Sequence, residues 1–210
     1  MIRTILVEDN LFMQKHLSGM LTADERFSLI AAYRDAFEAE TACSETAVDL
    51  VLMDVQTLHN HSGLAAGERI RKKGGVKVVL VTSLIDPEVL ARAKAGAADS
   101  LWYKDYGDQD LMAVIDRTLA GERIFPDASP AVELKKMLSS DISPRQLSIL
   151  RLFVRGLTYD EIAAELNLSK NGVRWNLEQI VEKGGFANKH ELLAAVIENK
   201  LIVTTLEDAE

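Results

Sequence analysis

Asp49-Leu-Val-Leu-Met-Asp54 is a run of four consecutive apolar residues bracketed by acids and without helical spacing. It reads as a strand buried on both faces that ends in a carboxylate. Three further runs end in polar residues: Arg3-Thr-Ile-Leu-Val7 leads into Glu8-Asp9, Val76-Lys-Val-Val-Leu-Val81 into Thr82-Ser83, and Ser100-Leu-Trp-Tyr103 into Lys104-Asp105. Parallel strands with helices between them point their carboxyl ends the same way, so these termini converge on one crevice edge, where open α/β sheets put their sites. Glu8, Asp9, Asp54, Thr82 and Lys104 would then share one small volume.

The segments between the runs carry helical signals. Asn10 to Ala23 has a helical pattern, and Phe27 to Tyr33 is strand-like. Asp35-Ala-Phe-Glu38 has the form of a capping box opening a helix to about Thr46. A polar loop, Gln56 to Ser62, precedes a helix from Gly63 to Lys73 that stops at Gly74-Gly75. Asp86-Pro87-Glu88 starts a helix running to about Gly96, and Asp108 is the expected cap of a last one that stops at Gly121. The order β-α, repeated five times, predicts a doubly wound, five-stranded parallel sheet over residues 1–121.

Glu122 to Asp141 holds Pro126 and Pro130, with a short helical pattern around Val132 to Leu138, and is expected to be a linker. The second domain, 142–205, shows four short helical patterns and no convincing strand. Ser143-Pro144 starts the first helix. Thr158-Tyr-Asp-Glu161 is a capping box for the second, Ser169 caps the third, and His190 to Lys200 forms the fourth. The expected architecture is therefore α/β followed by an all-α module.

With 210 residues and 48% hydrophobic content, the chain has enough apolar material for a real core. No apolar run approaches the roughly 20 residues that span a bilayer, and the amino terminus enters a strand at once, so cytoplasmic residence without membrane attachment is the expectation. The single Cys43 cannot form an internal disulfide. Net charge is −8, but residues 142–202 hold eight cations against seven anions, so this window is +1 and the remainder −9.

Carboxylates gathered at Glu8, Asp9 and Asp54 repel one another unless one takes a proton or a cation arrives. Mg²⁺ suits such a site, because it prefers oxygen ligands, is content with one or two carboxylates and bridges to phosphate oxygens. Thr82 could donate a hydroxyl to a phosphoryl group there, and Lys104 could pair with its charge. In the second domain, the helices from Thr158 to Lys183 are joined by the short turn Asn167-Leu-Ser169, as in modules that set a second helix into a major groove. With Val173, Leu177 and Ile180 inward, Lys170, Asn171, Arg174, Trp175 and Asn176 lie outward, where they suit phosphate and base-edge contacts. A helical docking domain for a protein partner is the alternative.

Ile5-Leu-Val-Glu-Asp-Asn10, Leu52-Met-Asp-Val55, Leu80-Val-Thr-Ser83 and Tyr103-Lys-Asp105 resemble the receiver domain of two-component response regulators, a flavodoxin-like fold. The resemblance implies that Asp54 is the phosphoacceptor, that Glu8, Asp9, Asp54 and the Gln56 backbone carbonyl hold Mg²⁺, and that Thr82 and Lys104 hold the phosphoryl oxygens. Ser143-Pro-Arg-Gln146, Gly156-Leu-Thr-Tyr-Asp-Glu-Ile-Ala163, Leu168-Ser169, Val173-Arg174 and Asn188-Lys-His-Glu191 are similar to the LuxR-type helix-turn-helix. Receiver and helix-turn-helix together make the NarL/FixJ class. That likeness places Lys170, Asn171, Arg174, Asn176 and Lys183 against DNA.

The sequence departs from these patterns at named places. Leu58 replaces a usual proline, and the glycine that follows comes one residue late, as Gly63. Leu101 stands where an aromatic switch residue is frequent, and Trp102, its neighbour, faces the other side of the strand. Trp175 replaces a small hydroxyl residue, Glu182 a base, and Gly184 a core leucine. The function implied is phosphorylation-controlled transcriptional regulation: a sensor histidine kinase would phosphorylate Asp54 and favour a homodimer bound to double-stranded promoter DNA. An enzyme of the haloacid dehalogenase type would need a second aspartate where Gln56 stands, so no enzymatic activity is expected.

Overall fold

A computed structural model describes residues 1–106 and 110–203. The chain divides into two compact units, one holding Met1–Ala128 and the other beginning at Ser129. In the first unit, five strands form a parallel sheet in the order β2-β1-β3-β4-β5. They are β1 (Ile2–Val7), β2 (Phe27–Tyr33), β3 (Leu50–Met53), β4 (Lys77–Thr82) and β5 (Ser100–Tyr103). Between and after them run α1 (Leu11–Thr22), α2 (Ala36–Glu45), α3 (Gly63–Lys73), α4 (Pro87–Arg92) and α5 (Leu111–Leu119).

The apolar runs are buried because alternate residues face the two helical layers. Leu6, Leu50, Leu52, Val79 and Val81 pack with Leu17 and Leu21 of α1 and Val114 and Ile115 of α5. Ile5, Val51, Met53, Val78, Leu80 and Leu101 occupy the opposite positions and are at most 2% exposed. Leu101 is thus a core residue, whereas Trp102 is half-buried and packs against the α1 and α5 layer. The alternation expected for this pair is what the strand has.

At the amino ends of the strands, two carboxylates tie the sheet together. Asp49 accepts from the Arg3 backbone N–H (2.8 Å) and its guanidinium (2.6 and 2.9 Å). Asp99, only 5% exposed, accepts from the Val78 N–H (3.0 Å), Arg71 (3.1 Å) and Lys77 (3.4 Å). Burial opposes the ionised form of Asp99, but the Val78 N–H and Arg71 outweigh it and hold this carboxyl below its ordinary range.

Three local expectations need correction. Asp35 caps α2 through the Phe37 N–H (2.9 Å), but Glu38 stays exposed and the second partner of Asp35 is His61 (2.7 Å). α4 ends at Arg92, and Ala93–Ala97 continues as one wider π turn. Asp108 lies outside the described residues; α5 begins at Leu111 with Asp110 at its cap position.

The stretch around Val132 to Leu138 is a hairpin and not a helix. β6 (Glu133–Leu134) pairs antiparallel with β7 (Met137–Leu138), and Lys135 turns in the left-handed region at φ 56°. Leu134 and Met137 are three apart, a helical spacing, yet across a two-residue turn that spacing makes them direct partners; both are buried. After Asp141 come α6 (Pro144–Val154), α7 (Tyr159–Glu165), α8 (Lys170–Gly184) and α9 (Lys189–Glu198). Reciprocal capping boxes start α6 (Ser143 with Gln146) and α7 (Thr158 with Glu161). A Cβ on Gly184 would lie 2.2 Å from the Phe186 ring, so the space a larger side chain would fill in α8 is taken by Phe186, which is 6% exposed.

Candidate functional site

The carboxyl ends of β1, β3, β4 and β5 deliver Glu8, Asp54, Thr82 and Lys104 to one place. Lys104 Nζ donates to Glu8 Oε2 (2.5 Å) and to Asp54 Oδ2 (2.7 Å), spanning strands 50 and more residues apart in sequence. All three side chains are nearly removed from solvent, at 7%, 1% and 10% exposure. Asp54 Oδ1 also accepts the Val55 N–H (2.7 Å), and Glu8 Oε1 accepts the Asn10 N–H (3.1 Å). Thr82 is fully buried, with its Oγ1 accepting the Leu84 N–H (3.1 Å), so its own hydroxyl proton is not spent on that bond.

One ammonium does not neutralise this group. Burial pushes the Asp54 carboxyl up to about 7; Lys104 pulls the other way and Glu8 adds to the rise. Burial likewise works to lower Lys104, but Asp54 and Glu8 beside it raise it on balance. Ligand oxygens of Glu8, Asp9 and Asp54 all lie within 4.8 Å of one another. An all-oxygen donor set with surplus negative charge fits a hard divalent cation such as Mg²⁺.

The loop after Asp54 turns in an uncommon way. Leu58–Asn60 is a short 3₁₀ turn in which His59 and Asn60 both take left-handed backbone, at φ 58° and 59°. Gly63 then starts α3 directly over Asp54, where a Cβ would lie 1.8 Å from the Asp54 carbonyl oxygen. Only glycine fits there.

His61 anchors the loop. Its Nδ1 meets Asp35 Oδ1 at 2.7 Å, its carbonyl accepts from Thr57 Oγ1 (2.7 Å), and Thr57 Oγ1 accepts the Ala36 N–H (3.1 Å). Its ring also packs 5.7 Å from Phe37. His61 is thus held by the fold, and its partner Asp35, from a different element, is not recognisable from the sequence. Asp9, Gln56, Thr57, Asn60 and His61 line a cavity of about 210 Å³, which brings Gln56 and Asp9 to a common space.

On α8, Val173, Leu177 and Ile180 are buried while Asn171, Arg174 and Trp175 are exposed, Trp175 to 58%. Asn176 turns its amide onto the Gly172 carbonyl (2.8 Å). The three cations named for this face each meet a carboxylate: Lys170 with Asp160 at 2.6 Å, Arg174 with Glu178 at 2.7 Å, and Lys183 with Asp141 at 3.6 Å. The Arg174–Glu178 pair has i,i+4 spacing and was legible in the sequence. The other two join separate elements and were not.

A strand-end aspartate held by a buried lysine, beside two further acids at the rim of a five-stranded parallel sheet, defines a receiver; the helical unit after it is an output module. The family model for the response regulator receiver domain matches residues 4–116, and that for bacterial regulatory proteins of the luxR family matches residues 140–196. The chain is 31% identical over 202 residues to the transcriptional regulatory protein YvfU of Bacillus subtilis, covering 95% of this chain and 98% of that one. It is 29% identical over 196 residues to the response regulator RamR of Streptomyces coelicolor, covering 93% and 96%. RcsB from Salmonella enterica serovar Typhimurium, solved on promoter rprA with BeF3⁻, shares the fold at a TM-score of 0.61 and 18% identity, over 93% of this chain and 98% of that one. The chain belongs to the response regulators that join a receiver to a luxR-type helix-turn-helix, and it is a transcriptional regulator. Among the described residues no helix is long and apolar enough to cross a membrane.

Proposed function

We propose that Asp54 accepts a phosphoryl group from a sensor histidine kinase, and that the modified receiver favours a homodimer whose α8 helices enter the major groove of promoter DNA. The observation that carries the first part is the buried Lys104 bridging Glu8 and Asp54 at the carboxyl edge of the sheet. In the transfer, an Asp54 carboxylate oxygen attacks phosphorus, the bond from phosphorus to the donor imidazole breaks, and the imidazole keeps that electron pair and takes a proton. Lys104 lies against Asp54 and is placed to pair with the added charge. Thr82, its proton uncommitted, is placed to donate to a phosphoryl oxygen. Glu8, Asp9, Asp54 and the Gln56 carbonyl would hold Mg²⁺, which when bound offsets phosphoryl charge.

For the output, the luxR-family match over the second unit favours DNA over a protein partner. RcsB has been solved as dimers on DNA, which supports a two-copy reading here. The proposed functional division is a receiver over 1–121 and an output domain over 142–205 joined by 122–141, of which the part from Ser129 onward packs within the second unit. The test is incubation with acetyl phosphate and Mg²⁺ followed by intact-mass spectrometry. Wild type should gain one phosphoryl group and Asp54→Asn none; equal labelling would remove Asp54 as the acceptor. Salt-dependent binding to promoter fragments, absent for a docking module, tests the output.

A further inference from the structure

We infer that Asp160 and Glu178 limit how tightly one copy of the helix-turn-helix holds any duplex, each engaging a DNA-facing cation with a carboxylate that a phosphate must displace. The inference rests on the DNA reading above and adds to it the acids that set its strength. Lys170 opens α8 and Asp160 lies in the first turn of α7; the turn through Asn167, left-handed at φ 52°, brings them to 2.6 Å. Arg174 and Glu178 are one helical turn apart on α8 and meet at 2.7 Å. Both pairs are open to solvent, with side chains 51% to 68% exposed. Exposed pairs of this kind contribute little to folding, so neither is explained by stability.

Their effect falls on DNA. A duplex presents one negative charge for about every 1.7 Å of its axis, and a cation that neutralises a phosphate contributes about 0.9 to the slope of log affinity against log salt. Here the cation is already neutralised, and the carboxylate stays close to the incoming phosphate after the exchange. With a net charge of only +1 over residues 142–202, few other cations offset that repulsion. A single module is therefore weak on bulk DNA, and occupancy depends on two modules engaging together, where the second binding step is intramolecular. Acids beside the cations act against unwanted complexes, as repulsive elements do at other selective interfaces.

The experiment is a fluorescence anisotropy titration of the full chain, with Mg²⁺ and BeF3⁻, against a labelled duplex of arbitrary sequence at several salt concentrations. Asp160→Asn and Glu178→Gln should each raise affinity roughly three- to ten-fold and steepen the salt slope by nearly one unit. Asp160→Glu keeps the charge and should stay near wild type. A thermal melt of each variant should match wild type. Unchanged or weaker affinity in both neutralised variants, with wild type binding in a salt-dependent way, overturns the inference and leaves the DNA reading standing. No salt-dependent binding by wild type or by the double variant overturns both.

Discussion

Replacing Asp54 by Asn should stabilise the receiver in the absence of metal, by an amount that depends on pH. The substitution removes the surplus carboxylate and leaves Lys104 paired with Glu8 at 2.5 Å. Burial, opposed by Lys104 and reinforced by Glu8, moves the Asp54 carboxyl from 3.8 to about 7. An acid whose folded value lies above its unfolded one holds its proton more tightly when folded. Its neutral form costs nothing below the unfolded value, and the full penalty applies once pH passes the folded value. A rise of roughly three units, at about 1.4 kcal/mol each, sets a ceiling of about 4 kcal/mol, and we expect about 2 to 4 kcal/mol above pH 7. For a unit of this size, 1 kcal/mol moves the melting temperature by roughly 3 to 5 °C. Asp54→Asn should therefore melt roughly 6 to 20 °C above wild type at pH 8 in EDTA, with the gap closing as pH falls toward 4. Mg²⁺ should narrow the gap at pH 8 by stabilising wild type alone. Melts followed by circular dichroism between pH 4.5 and 8 decide the matter. A variant that melts at or below wild type at pH 8, or a gap indifferent to pH, would refute the surplus-charge argument.

Three further outcomes are expected. Gly63→Ala places a Cβ 1.8 Å from the Asp54 carbonyl oxygen and should cost about 2 to 4 kcal/mol in a melt, whereas Gly19→Ala in α1, with open space around it, should be neutral or stabilising. His61→Ala deprives Asp35 of its second partner and should cost about 1 to 2 kcal/mol, with faster hydrogen exchange at the Thr57 and Leu58 amides; unchanged protection would show that the loop is held by its backbone bonds alone. Arg174→Ala should weaken DNA binding and leave the melting temperature unmoved, since it loses only an exposed i,i+4 pair, and made in a Glu178→Gln background it should lower the salt slope by about 0.9; unaltered DNA affinity would take this residue out of the interface.

Much of the receiver was legible because its strands are buried on both faces. An uninterrupted apolar run such as Leu50 to Met53 has few other readings, and where the runs end fixes which side chains gather. The helices of the second unit were legible from caps such as Ser143, Thr158 and Ser169. The hairpin at 133–138 was not, since two-residue strands give alternation no room and the Leu134–Met137 spacing suits a helix equally well. How the loop after Asp54 turns, through His59, Asn60 and the His61–Asp35 contact, depends on partners far apart in sequence. Asp160 beside Lys170 was hidden for the same reason.

The two carboxylates at the far edge of the sheet bear on how the signal proposed to start at Asp54 would travel. Asp49 fastens β1 to the start of β3, and Asp99 fastens the end of α3 and the start of β4 to the start of β5. The sheet is thus clamped along its amino edge and loaded along its carboxyl edge, as a cantilever is. Such a beam bends least at the clamp and most at the tip, so under the phosphorylation proposed above the charge added at Asp54 would be felt in the turns that follow β4 and β5, next to Thr82 and Lys104, and hardly at all where Asp49 and Asp99 hold the strands together.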